Sequence, residues 1–354
     1  MGLRATDDWT PQSRGLNSCD SNEFDIADAT SIAGSDPLSS SSEDRAMSVQ
    51  AVPSVVSRKE VPAQEQGALA RLTPSHVLRA ASLVQTGRVY DLALERFRGM
   101  PTPVVHPPLE LLAYRSPSGL RNEGDVGWVV ADSNAAKIAF NSEIVMMCLH
   151  TGTHLDSLAH ITVADDSHWF GGFRADRDLG DFGPLRADAS TIRPIVSRGV
   201  LLDVARTRGV KVLSAHEVIT AQDLQRTAES QGTPVEDGDV VLIRTGYLSL
   251  WPDRDGLAQH AGAGINLDAA RWLVEHGAIV VGADTEAVEQ LPSADPDNPH
   301  PVHNLLLVEK GVLLLESTDL ELLARDGVYT FLFVGAPIKI RGGTAGILDP
   351  IAVV

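Results

Sequence analysis

His150-Thr151-Gly152-Thr153-His154-Leu155-Asp156-Ser157-Leu158-Ala159-His160 places three imidazoles and one carboxylate within eleven residues. Histidine and aspartate side chains suit a borderline divalent cation such as zinc or manganese. Their spacing also constrains the backbone. In a straight strand His150 and His154 would lie about 13 Å apart at roughly 3.3 Å per residue, too far for two ligands each about 2 Å from one ion. A continuous helix would join the two histidines but turn Asp156 well away from them, at about 100° per residue. Neither regular element works alone. The simplest arrangement is a strand that breaks into a turn. The apolar run Glu143–Leu149 reads as a buried strand. Gly152 permits backbone angles closed to other residues. A helical turn after it would bring Asp156 and His160 together at i, i+4. Four candidate ligands in so short a stretch, in a chain with 11 histidines, argue against ordinary scattered histidines.

Working outward, three ligands from this stretch leave a cation under-coordinated, so further donors are expected from elsewhere. His303 is followed thirteen residues later by Glu316, which ends the apolar run Val312–Leu315. A glutamate closing a buried strand is costly unless paired or bound to a cation; facing water at the strand end is its other reading. Glu309, beside a lysine, is the weaker candidate, and His106, in a proline-rich loop, reads as a loop contact.

The rest of the chain sets the frame. Its 354 residues with 43% apolar content allow a sizeable core in one large domain or two ordinary ones. A net charge of −18 argues against nucleic acid or an anionic membrane as partner, since both need basic surface. Cys19 and Cys148 form no CxxC pair, which fits a reducing interior. No apolar run approaches a membrane span, and the start has neither a basic region nor an apolar signal core. A cytoplasmic protein is expected. Residues 1–68, with Ser39-Ser40-Ser41-Ser42 and few large apolar residues, read as a disordered acidic and serine-rich tail. Residues 70–354 read as the globular domain. Thr73-Pro74 caps a short helix, and Val89–Leu92, Gly199–Val204, Asp239–Gly246 and Ala278–Gly282 read as strands. Ile219–Ser230 and Leu267–His276 have helical spacing. This alternation predicts an α/β domain. His168-Trp169-Phe170-Gly171-Gly172-Phe173 reads either as a wall over the site or as a packed turn, and Asp284 either as an orienting or as a capping residue. The glycine-rich stretches Ala261–Ile265 and Gly342–Gly346 match no nucleotide-binding pattern, and no GxSxG elbow is present.

His150–His160 resembles the HxGTHxDxPxH signature of the metal-dependent cyclase family, which includes bacterial kynurenine formamidase and isatin hydrolase. The similarity extends through Val89–Leu92, Gly99–Pro101, Arg198–Asp203, Ile243–Gly246, His303–Glu316 and Phe331–Pro337, and so covers roughly residues 70–354. The resemblance implies an α/β fold of the swivelling β/β/α type, with barrel-like mixed sheets flanked by helices, assembled as a homodimer or homotetramer. It implies that His150, His154 and Asp156 bind a first metal, that Asp156 and Glu316 bridge to a second also held by His303, and that His160 transfers protons. Leu158 stands where many members have proline. Pro103 and Val104 occupy the region where the family's formamidases carry a substrate-contacting tryptophan, which weighs against an aryl formamide.

These readings predict one or two divalent ions, Zn2+ or Mn2+, and metal-activated water that opens an amide, imide or lactone of a cyclic small molecule. His160 would take the water's proton and deliver it to the leaving group. Metal-dependent ring closure or dehydration, and a metal-binding protein without turnover, are the alternatives.

Overall fold

The computed structural model describes residues 61–164 and 167–354. The expected tail lies outside them as far as residue 60. Residues 61–68 differ from the expectation. Ala63–Glu65 and Gly67–Arg71 form two 3-10 turns packed on the domain. The buried Glu65 carboxylate accepts hydrogen bonds from the Ala187 N–H at 2.9 Å and the Arg186 guanidinium at 3.1 Å, and the Gln66 amide donates to the Thr191 carbonyl at 2.7 Å. Polar composition reads as a solvated tail, but here the polar groups find partners inside the fold.

The strands that carry the architecture are β1 (Val89–Asp91), β2 (Glu110–Arg115), β3 (Ser142–Met146), β4 (His154–Asp156), β5 (Ile195–Asp203) and β6 (Val240–Arg244). They continue with β7 (Val280–Ala283), β8 (Leu313–Glu316), β9 (Thr330–Gly335), β10 (Ala345–Ile347) and β11 (Ile351–Val353). Nine of them form one curled, half-barrel sheet in the order β1-β11-β9-β5-β6-β7-β8-β4-β10. Its centre, β5 to β8, is parallel, with Val200, Val241, Val281 and Leu314 in register across it. Parallel strands covered on both faces need apolar residues at every position, which is why Val240-Val241-Leu242-Ile243 reads as an unbroken run and is wholly buried.

Parallel neighbours need crossovers, and the predicted helices supply them. Helix α1 (Pro74–Ala81) precedes the sheet, α2 (Ala221–Gln231) joins β5 to β6, and α3 (Leu267–Glu275) joins β6 to β7. Thr220 and Asp223 form a capping box at the start of α2, and Asn266 caps α3 through the Ala269 N–H. The last crossover runs from Pro301–His303 into a π-helical segment, Asn304–Lys310. Leu314 is 0% exposed at the sheet centre. Leu314→Ala is expected to cost about 2–5 kcal/mol through lost burial and an unfilled cavity, read as a lowered urea midpoint with an unchanged slope.

Two expectations are corrected in part. The stretch directly after Gly152, which takes φ +68°, is the strand His154–Asp156; the expected turn that brings Asp156 and His160 together comes after it, with the His160 N–H donating to the Ser157 carbonyl at 3.0 Å. The run Glu143–Leu149 does contain a strand, β3, but an exposed one. It pairs only with β2 in a separate two-stranded sheet, leaving Val145 57% exposed. Apolarity predicted burial there, but among the described residues no second layer covers these strands. Among the described residues no helix is long and apolar enough to cross a membrane.

Candidate metal centre

The sheet edge decides how the side chains meet. Alternation along β4 turns His154 and Asp156 to one face and sends Leu155, 0% exposed, into the core on the other. Across the antiparallel seam Glu316, the last residue of β8, lies opposite His154. His150 enters from the turn ahead of β4, and His303 from the crossover that precedes β8. The four segments meet at the carboxyl edge of the parallel strands, where β8 ends and the antiparallel β4 begins, and where open α/β sheets place their ligands.

The side chains converge. His150 Nδ1 lies 2.9 Å and His154 Nε2 3.4 Å from Asp156 Oδ1. His303 Nε2 lies 3.8 Å and His160 Nε2 4.0 Å from Asp156 Oδ2. Glu316 places Oε2 3.3 Å from His154 Nε2 and Oε1 3.3 Å from His303 Nε2. Asp156 therefore stands between two pairs of imidazoles, and Glu316 between two single ones, His154 and His303.

Whether this cluster suits a cation is decided by its unmet polar atoms. His154 Nε2, both Asp156 oxygens and Glu316 Oε1 are buried and make no hydrogen bond of good geometry, the 2.9 Å approach of His150 Nδ1 to Asp156 Oδ1 included. Leaving such groups unsatisfied costs about 1–3 kcal/mol each, and more when charged. A divalent ion among them would meet that need, and the nitrogen and oxygen donor set fits one. Two overlapping sets, His150 with His154 and Asp156, and Asp156 with His160 and His303, lie close enough to share an ion.

The electrostatics agree in direction. Burial pulls the His154 imidazole down, but Asp156 and Glu316 outweigh it and hold the group up at about 10. Burial likewise opposes Glu289 and Glu316 at His303, which they raise to about 10. Asp156 is driven up by burial and more strongly down by the neighbouring histidines, which keep it ionised. These imidazoles carry the protons a cation would displace, because histidine binds metal only when neutral. His160 differs. It is only half-buried by its own exposure, yet desolvation pulls it down to about 4 despite Asp156, leaving it a neutral imidazole.

Several partners carry no sequence signal. The Glu289 carboxylate, 1% exposed, accepts from His303 Nδ1, from His300 Nδ1 at 3.0 Å and from the Val302 N–H at 3.0 Å. It fixes which His303 nitrogen faces the cluster. Its backbone is held by close approach: a Cβ on Gly264 would lie 2.4 Å from the Glu289 carbonyl carbon. That contact is one use of the glycine-rich stretch Ala261–Ile265. His154 Nδ1 donates to the Gly152 carbonyl at 2.8 Å, and His150 Nε2 pairs with Thr344 Oγ1 at 3.0 Å. Asp284 accepts from the N–H groups of Thr245 and Gly246 at 2.8 and 2.7 Å, so it caps the turn after β6. His106 is a loop contact, 3.3 Å from Cys148 Sγ. Trp169 and Phe173 join the main core, which is the packed-turn reading of their stretch.

The Cyclase family model, described as "Putative cyclase", matches residues 75–290. No curated protein matches the chain. Among solved structures it is similar to one described as a novel cyclase, with 26% identity and a TM-score of 0.71 over 82% of this chain and 94% of that one. It is also similar to isatin hydrolase A from Ralstonia solanacearum, at 22% identity and TM-score 0.56, covering 80% of this chain and 98% of that one. The isatin hydrolase A from Labrenzia aggregata aligns at 20% identity and TM-score 0.54, over 77% and 94%. At these identities the two hydrolases speak to the fold.

Proposed function

The chain belongs to the Cyclase family, and from that premise we propose that it is a metal-dependent hydrolase that opens an amide, imide or lactone bond of a small cyclic molecule. The observation that carries this reading is the set of buried, unpartnered ligand atoms that two distant segments bring together at His154, Asp156 and Glu316. His150, His154 and Asp156 would hold one zinc or manganese ion, and Asp156, Glu316 and His303 a second beside it. A cation bound there supplies Lewis acidity, which acidifies water and polarises a carbonyl. His160 stands at the rim of the cluster, kept neutral by desolvation. Its Nε2 accepts the proton that water loses and returns it to the departing nitrogen or oxygen. The small pocket in front of His150 and His154, walled by Leu94, Met100, Tyr247 and Glu286, measures about 20 Å3, room for roughly one water beside the cluster.

The test is elemental analysis of the purified protein, followed by turnover before and after chelation and metal return. Cyclic imides, lactones and N-formyl aromatics form the panel. Metal-dependent turnover with a product heavier by one water is expected. An unchanged or lighter product would replace hydrolysis with ring closure or dehydration, and metal-free turnover would remove the reading altogether.

Glu289 gives a second, milder prediction. Partners that orient a ligating histidine typically contribute 10–100-fold in metal affinity. Glu289→Gln should weaken metal binding by about that factor while the far-UV spectrum stays unchanged, as competition against a chromophoric chelator would measure.

A further inference from the structure

Behind the small pocket lies a larger cavity of about 580 Å3, within the range that holds drug-sized ligands. The two share Tyr247 and Glu286 as lining residues. The Tyr247 phenol and the Glu286 carboxyl face one another at that junction, close enough for the carboxyl to add to burial in raising the phenol's pKa. Whatever part of a substrate extends past the reacting bond in this direction must pass them.

The charge on the walls has one sign. Glu286 and Asp295 present carboxyl groups, and no lysine or arginine lines the cavity among the described residues. Its two histidines are already engaged. His216 Nδ1 lies 2.5 Å from the Leu291 carbonyl, and His300 Nδ1 lies 3.0 Å from the buried Glu289. Leu291, Pro292, Pro296 and Pro299 supply apolar surface. An anion placed here would face carboxylates across a low-dielectric space with no cation to pair it, an arrangement that selects by repulsion.

We propose that this cavity receives the non-reacting part of the substrate, and that Glu286 with Tyr247 selects an uncharged or cationic group there against a carboxylate or phosphate. This rests on the hydrolase reading and names the substrate class within it. Glu286 is here a specificity residue; the bond-breaking chemistry stays with the cluster.

The experiment uses the metal-loaded protein and cyclic imides of one length that end in an aminomethyl, a methyl or a carboxylate group. In the wild type kcat/KM should fall at least about tenfold from the cationic to the anionic member, mostly through KM. Glu286→Gln should shrink that ratio several-fold with metal content unchanged. A parallel arm measures equilibrium binding of phenethylamine and benzenesulfonate by ligand-observed NMR in both proteins. Phenethylamine should bind the wild type and weaken in the variant, and benzenesulfonate should bind the wild type poorly. If no imide turns over, the imide is excluded as the bond opened and the hydrolase reading is judged on the lactones and N-formyl aromatics, while the binding arm judges the cavity independently of turnover. Equal binding of the two probes by the wild type, or a ratio untouched by Glu286→Gln, overturns the proposal.

Discussion

Asp156→Asn yields a folded protein that no longer retains metal and has turnover near background. Asp156 is 0% exposed, and its two oxygens face His150 and His154 on one side, His303 and His160 on the other. Asparagine keeps the shape but removes the charge shared by both proposed positions, and it aims an amide N–H₂ group at one of them. Residues that merely orient a ligand contribute about 10–100-fold in affinity, so loss of a shared ligand should exceed about 100-fold. Elemental analysis after gel filtration measures it directly. A variant that keeps its full complement of metal would show that the cluster is not the binding centre.

His160→Ala separates chemistry from binding. The imidazole lies at the edge of the cluster, its ring 4.0 Å from that of His150, and desolvation leaves it well below its ordinary value. Removing a positioned acid–base group typically costs about 10²–10⁴ in rate. The expected variant keeps its metal and its KM and loses about that much kcat. Rapid turnover by a fully metal-loaded His160→Ala protein would move the proton transfer to another group.

Much of this centre could be read from the sequence, and the reasons for the exceptions are physical. Three imidazoles and a carboxylate in one short stretch form a strong pattern in any backbone. Glu316 stood out because a carboxylate at the end of an apolar run needs a counter-charge. The conformation of that stretch was harder. A period of two cannot establish itself in three residues, so the strand ahead of the Asp156–His160 turn left no signal, although i, i+2 alternation is what places His154 beside Asp156. Glu289 had no signal, because it sits in a polar loop and its partner His303 is fourteen residues away. The β2–β3 pair shows the limit of hydropathy: Ile144 and Val145 tell that a strand forms, not whether anything covers it. The α/β core was the easiest part, since its parallel strands and capped helices are written as continuous runs and local caps.

The seam between β4 and β8 has a further consequence. Two acidic groups, Asp156 and Glu316, are sealed on neighbouring strands, and the outermost pair β4 and β10 contributes only three residues each. On the proposed reading, the ion is the rivet of that margin, and filling the centre and finishing the fold become a single equilibrium. Metal supply in the cell would then govern how long each copy survives proteolysis as well as how fast it works.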